Sequence, residues 1–168
     1  MEGVEQAKAL LAVKRYREAA VILDRLIVHD REKDELWYLR GIASLKMRNY
    51  SIAQECFEHA VSLGRKPRYY QIKGMAHFEL FEMDEAIGSF LSALALEPND
   101  ATTNFFLSMC YLFIDDPRAD EYIAKARKAD RKKTSQLLLN FYTFFLKDDP
   151  RINDSVKKRM EDRIRELK

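Results

Sequence analysis

Residues 37–60 read WYLRGIASLKMRNYSIAQECFEHA, and residues 70–93 read YQIKGMAHFELFEMDEAIGSFLSA. Laid one over the other, Trp37, Gly41, Tyr50, Ala53, Phe57 and Ala60 fall on Tyr70, Gly74, Met83, Ala86, Phe90 and Ala93, 33 residues later. Pro98 closes the second copy. A repeat of this length is one helix pair, and a chain made of such pairs is built by stacking. Function then belongs on a surface that several pairs share.

The pattern runs further in both directions. Tyr16, Ala19, Leu23 and Leu26 stand 34 residues before Tyr50, Ala53, Phe57 and Ala60. Leu107, Ser108 and Tyr111 resemble the first half of another unit, and Ala119, Ile123 and Ala126 the second half. The loop Asp115-Asp116-Pro117 between those halves is one residue short. Small residues recur where two helices must approach: Gly41, Gly74 and Ser108 in first helices, Ala53, Ala86 and Ala119 in second helices. Phe57, Phe90 and Ile123 follow one turn later to fill the space. Glycine inside a helix costs about 1 kcal/mol against alanine, so its recurrence calls for a packing reason. Asn49, Asp84, Asp100 and Pro117 supply helix starts, and Gly64 with Pro67 a helix stop.

These residues resemble the tetratricopeptide repeat family, whose unit carries W-x2-L-G-x2-Y, then A-x3-F, then P. The second-half signature matches in full at Ala53, Phe57 and Ala60 and at Ala86, Phe90 and Ala93. Departures sit in the first halves, where Arg40 and Lys73 replace Leu and Ser44 and His77 replace Tyr. The resemblance implies an all-α, right-handed superhelix of stacked antiparallel helix pairs, an α-solenoid with C-terminal capping helices. A single domain over residues 1–168 is expected, with units at about 1–33, 34–66, 67–100 and 101–132 and C-terminal helices at 134–147 and 153–167. In the first of those helices Leu137, Leu138, Leu139, Phe141, Tyr142, Phe144, Phe145 and Leu146 are apolar on nearly all sides, so both flanking elements should cover it. The last helix carries one stripe, Val156, Met160, Ile164 and Leu167, suited to a polar-backed cap or to a second chain.

Composition narrows the function classes. The chain has 168 residues, 33% charged and 47% apolar, with a net charge of +2, too balanced to argue for nucleic acid. The longest apolar run, Leu137 to Leu146, is too short for a membrane span. The first residues lack the basic start and apolar core of a secretory signal, so the cytoplasm is the expected location. Cys56 and Cys110 read as small core residues and not as a disulfide framework. His29, His59 and His77 have no ligand spacing, and no phosphate loop, nucleophile elbow or paired-carboxylate site occurs. The expectation is a non-enzyme with no catalytic residue, no metal and no cofactor. The basic run Lys125 to Lys133 contains no aromatic residue and reads as a solvated helix end.

The resemblance places the first helices on the concave side, where the family holds an extended or helical peptide. Carried over position by position, that face comprises Glu35, Tyr38, Ile42, Leu45 and Lys46, then Arg68, Gln71, Met75, Phe78 and Glu79, then Thr102, Phe105, Met109, Leu112 and Phe113. Tyr38, Ile42 and Leu45, like Phe105, Met109 and Leu112, form stripes of helical period. The expected peptide groove is Tyr38, Ile42, Leu45, Arg68, Met75, Phe78, Phe105, Met109 and Leu112, with Arg68 and Lys46 meeting acidic groups. The function implied is a non-catalytic adaptor, scaffold or chaperone that binds a protein or peptide partner. A structural subunit, self-associating or buried in a larger assembly, is the alternative. Pro67-Arg68-Tyr69-Tyr70 also resembles a join in the chaperones of type III secretion translocators. Of the positions by which some members grip a heat-shock chaperone's terminal carboxylate (here Val4, Lys8, Leu39, Arg68 and Ile72), only Arg68 fits.

Overall fold

The computed structural model describes residues 2–165, which form helices and no strand. Leu167, at the end of the expected last stripe, and the side chain of Phe145 lie outside the described part. The chain divides into two compact units, Met1–Leu96 and Glu97–Lys168. Unit 1 holds three helix pairs: α1 (Glu2–Ala12) with α2 (Tyr16–His29), α3 (Asp34–Lys46) with α4 (Tyr50–Leu63), and α5 (Pro67–Glu79) with α6 (Met83–Leu96). Unit 2 holds the pair α7 (Ala101–Phe113) and α8 (Arg118–Ala129), then α9 (Arg131–Phe141), a π-helical turn over Tyr142–Leu146, and α10 (Asp154–Arg165).

Each pair crosses where a small residue of the first helix meets a large one of the second. A β-carbon added to Gly74 would lie 2.7 Å from the Phe90 ring, and one added to Gly41 would collide with the ring of Phe57. Both rings are fully buried. Ala7 and Leu23, also fully buried, occupy the same register in the first pair, and Ser108 and Ile123 occupy it in the fourth. Volume is thus exchanged across the crossing: Gly with Phe, Ala with Leu, Ser with Ile. Ser108 adds a polar tie, its hydroxyl donating to the Ala119 carbonyl at 2.7 Å.

The turn inside each pair is the same in all four. Lys14, Arg48, Phe81 and Asp115 adopt left-handed backbone, with φ of 62°, 60°, 61° and 56°. The next residue's N–H then reaches back five positions: Arg15 to Leu10, Asn49 to Ser44, Glu82 to His77 and Asp116 to Tyr111. This is a Schellman ending, usually made by glycine. In the fourth pair the missing residue is absorbed just after it. Ala19, Ala53 and Ala86 donate to the carbonyl four positions back, whereas Ala119 donates three back, to Asp116. A tighter first turn replaces the lost residue.

The departures from the family pattern join one pair to the next. Arg40 Nε donates to Asp24 at 2.6 Å, and Lys73 lies 2.6 Å from Glu58. Each links a first helix to the second helix before it, and each is worth at most about 1 kcal/mol at such exposure. His77 is buried, with Nδ1 2.7 Å from Glu82, and Gln54 of α4 donates to the same carboxylate at 2.8 Å. Gly64 has ordinary extended backbone, but the Asp34 carboxylate occupies the space a β-carbon would need. Asp34 pairs with Lys66 at 2.7 Å, and Lys66 also donates to the Tyr69 hydroxyl. Burial works to raise the Asp34 carboxyl, yet the hydrogen bond and charge of Lys66 outweigh it and hold the carboxyl below its ordinary value.

Of the C-terminal helices, the first has other bounds than the sequence indicated. Asp130 ends α8 and also starts α9, its side chain accepting from the Lys133 N–H at 2.9 Å. The helix expected at 134 therefore starts at Arg131, inside the charge run read as a solvated end. Its α-helical part stops at Phe141, and Lys147 N–H bonds the Tyr142 carbonyl at 3.0 Å to close the π turn. Leu138, Phe141 and Leu146 are buried, but Leu139 is 49% and Phe144 77% exposed, so this segment is not covered on all sides. Asn153 caps α10, accepting from Val156 N–H at 2.9 Å. Val156 and Met160 face the interior, and Arg163 and Arg159 of α10 pair with Asp120 and Asp115 at the start of α8 and the turn before it. The helix stripe is used as a cap.

Two stability measurements check these contacts. Gly41→Ala is expected to cost about 1–2 kcal/mol, because overpacking against Phe57 exceeds the helix-propensity gain. Gly88, whose β-carbon would meet nothing within 4 Å, should behave oppositely, Gly88→Ala adding about 0.5–1 kcal/mol. Denaturant titration of both variants checks the opposite signs. A carboxyl with a lowered folded pKa stabilises above its unfolded value of ~3.9 and loses that contribution as pH falls through the folded value. Asp34→Asn should therefore be less stable than wild type at pH 7, and the gap should close as the pH drops below about 4.

Candidate functional site

Within unit 1 the first helices are neighbours, α1 beside α3 and α3 beside α5. Their shared face carries the residues singled out by register. At one end Lys8 of α1 lies 3.0 Å from Glu35 of α3 and 2.9 Å from Glu5. Next to it the rings of Tyr38 and Tyr69 stand 4.7 Å apart at 31°. The exposed Arg68 guanidinium lies 5.2 Å from the centroid of each, a cation held against two π faces. Burial raises the Tyr38 hydroxyl above its usual range, with Arg68 pulling the other way.

The middle of the face is apolar. Tyr38 and Ile42 are half-buried, packed on a cluster of Leu45, Ala53, Phe57 and Ala76. Met75 of α5 is also half-buried, while Leu45 and Phe78 are buried and act as the floor. At the far end Lys46 and Arg48 are exposed. Glu79 lies within their field: desolvation raises its carboxyl, and both cations oppose the rise. The face is thus a short apolar strip with charge at both ends. Cys56 and Cys110 are buried, and burial pushes the Cys56 thiol up to about 11 and the Cys110 thiol further up. Among the described residues no three metal-ligating side chains converge.

Unit 2 treats the same register differently. Phe105, Met109 and Leu112 are fully buried. Beside them α9 packs on α7, and Phe141 meets Phe105 edge-on at 5.9 Å. Phe106 and Phe113 meet the same ring at 6.3 and 6.4 Å. These three expected groove residues form interior in unit 2 and offer no open surface. Part of the cover over Phe105 is an aromatic from a helix that the repeat register does not include.

Tyr69 is not among the groove residues expected from register, yet it completes the seat of Arg68. Trp37 belongs to the scaffold, stacked on His59 at 4.3 Å with its Nε1 donating to the Arg31 carbonyl at 2.8 Å.

A family model for the tetratricopeptide repeat matches residues 34–66 and 67–100. The Cell division cycle protein 27 homolog of Caenorhabditis elegans is 33% identical over 88 residues, 52% of this chain but 11% of that protein's length. Among solved structures, MamA superposes with a TM-score of 0.72 at 18% identity, covering 95% of each chain. YrrB, described as a tetratricopeptide-repeat protein with an unusual peptide-binding site, gives 0.72 at 19% identity over 100% of this chain and 86% of its own. The first repeat domain of Spaghetti (RPAP3), bound to an HSP90 peptide, gives 0.65 at 23% identity over 68% of this chain and 91% of its own. Such identities bear on fold alone. Residues 34–66 and 67–100 are thus two tetratricopeptide repeats, set in a chain whose helix-pair fold is that of tetratricopeptide-repeat solenoids.

Proposed function

We propose that the protein is a non-catalytic adaptor, scaffold or chaperone whose first-helix face in unit 1 binds a peptide or amphipathic helix of a partner protein. The carrying observation is that Tyr38, Ile42 and Met75 keep part of their apolar surface open on one face, beside the ring-seated Arg68. Apolar anchors of this kind supply affinity, and rim charges supply register and rate. Arg68 and Lys46, at opposite ends, would meet acidic groups of the ligand. Tetratricopeptide repeats are interaction modules, and peptide-bound relatives of the fold exist. No helix among the described residues is long and apolar enough to cross a membrane, and we place the protein in the cytoplasm. The chaperones of type III secretion translocators are the narrower version of this reading, carried by Pro67-Arg68-Tyr69-Tyr70 alone.

A second reading, association of the chain with copies of itself, draws on Leu139 and Phe144, the exposed apolar side chains of unit 2's third helix. Sedimentation over a hundredfold concentration range separates the two, since a groove-binding adaptor should remain monomeric throughout.

The direct test is capture of binding proteins from the native host's lysate by wild type and by an Ile42→Ser, Met75→Ser variant. Both positions are half-exposed, so the variant should keep its helical circular dichroism. A partner held by wild type should bind the variant at least about tenfold more weakly, the equivalent of ~1.4 kcal/mol. Equal capture of the same partner by a folded variant removes the face from the binding site.

A further inference from the structure

The last helix turns a charge inward where its sequence also offers an apolar side chain. α10 buries Val156, Met160 and Arg163, the i, i+4 and i+7 positions of one face, while Ile164 is half-buried. α8 shows what such a face ordinarily carries: Ala119, Ile123 and Ala126, all apolar. Arg163 is 8% exposed, and its Nη2 donates to the Asp120 carboxylate in the first turn of α8. Its Nη1 is buried without a hydrogen-bond partner among the described residues. The Asp120 side chain is 75% exposed, so water can serve that carboxylate whether or not Arg163 is beside it. The pair is lopsided: the cation depends on the anion, and the anion does not depend on the cation.

Further ties of α10 are polar. Arg159 lies 2.5 Å from the exposed Asp115, and the Tyr142 hydroxyl of the π turn donates to Glu161. Arg127 of α8 reaches the Arg163 carbonyl at 3.5 Å. Among the described residues the apolar hold of the helix is Val156 and Met160 with half-buried Ile164, and Ile152 is buried just before the Asn153 cap. A buried cation is tolerated only while its partner stays in place, and in an opened helix it returns to water at no such cost. Elements held by few buried apolar contacts are those that open below global unfolding.

We infer that α10 is a strap latched by charge: it opens about Asn153 while α7, α8 and α9 stay folded, and the Arg163–Asp120 pair sets how often. Closed, it covers one side of α9 and the π turn; open, it exposes that side. Asp120 holds the strap through Arg163 alone, so its effect vanishes when residue 163 is apolar. Nothing in this device depends on the face of α1, α3 and α5.

Hydrogen exchange of the full chain, read by mass spectrometry, tests the latch with α7 as internal reference. In wild type the amides of α10 should exchange at least about tenfold faster than those of α7. Asp120→Asn should speed α10 about tenfold further and leave α7 and α8 unchanged, since it strands the buried guanidinium. Arg163→Met keeps much of the volume and supplies an apolar anchor, so α10 should exchange no faster than in wild type. In that background Asp120→Asn should have no effect on α10. Three results overturn the proposal. One is a common exchange rate for α7 and α10, which makes unit 2 a single opening unit. Another is acceleration of α8 along with α10 in Asp120→Asn, which assigns that residue to its own helix. The third is faster exchange in Arg163→Met, or an equal effect of Asp120→Asn with and without Arg163→Met, either of which removes the pair from the latch.

Discussion

The packing of a small residue against a large one at each helix crossing is the contact on which the rest depends. Gly41 under Phe57 and Gly74 under Phe90 bring two helices closer than any side chain at the glycine would allow. That distance fixes the angle of each pair, and the angle decides which side chains of α3 and α5 face outward. The glycines are costly in a helix by about 1 kcal/mol each, which the buried rings more than offset, since a fully buried Phe contributes roughly 1.5–3 kcal/mol. The same exchange with other residues, Ala7 and Leu23 or Ser108 and Ile123, shows that total volume matters more than residue identity.

How much the sequence discloses follows from that contact. Where the pair is Gly and Phe, the residues stand out against their surroundings and their spacing reveals the unit. In the first unit Leu23 is found by its spacing from Phe57, but Ala7, in the place of Gly41, is too common a residue to stand out. The left-handed turns were hidden for a related reason. Lys14, Arg48, Phe81 and Asp115 share a conformation, not a residue type. Arg40 and Lys73 looked like faults in the pattern until Asp24 and Glu58 were found opposite them, themselves 34 residues apart. A departure repeated in two successive units is a feature of those units.

The binding face was legible only in part. The resemblance, carried over by register, places Tyr38, Ile42, Met75, Phe105, Met109 and Leu112 on one inner face but does not show what lies above them. In unit 1 that register keeps open apolar surface on Tyr38, Ile42 and Met75. In unit 2 Phe141 of α9 packs edge-on against Phe105, Phe106 and Phe113, a contact from outside the repeat register. Charge reads poorly in the other direction too. The run of lysines spans the end of α8 and the start of α9, where the Asp130 carboxylate caps the new helix. The candidate surface that follows from these facts is the apolar strip with Arg68 on unit 1.

The measurement that tests the crossing most directly is a double-mutant cycle of Gly41→Ala and Phe57→Leu, which installs at the second crossing the pair already present at the first. Each single change removes the fit, one by overpacking and the other by leaving a cavity. If complementary volume sets the helix-pair geometry, Phe57→Leu should recover about 1 kcal/mol or more when Ala occupies position 41, a coupling well outside ordinary additivity. Two losses that simply add would contradict it, and the spacing of the helices would then have to be held by other contacts.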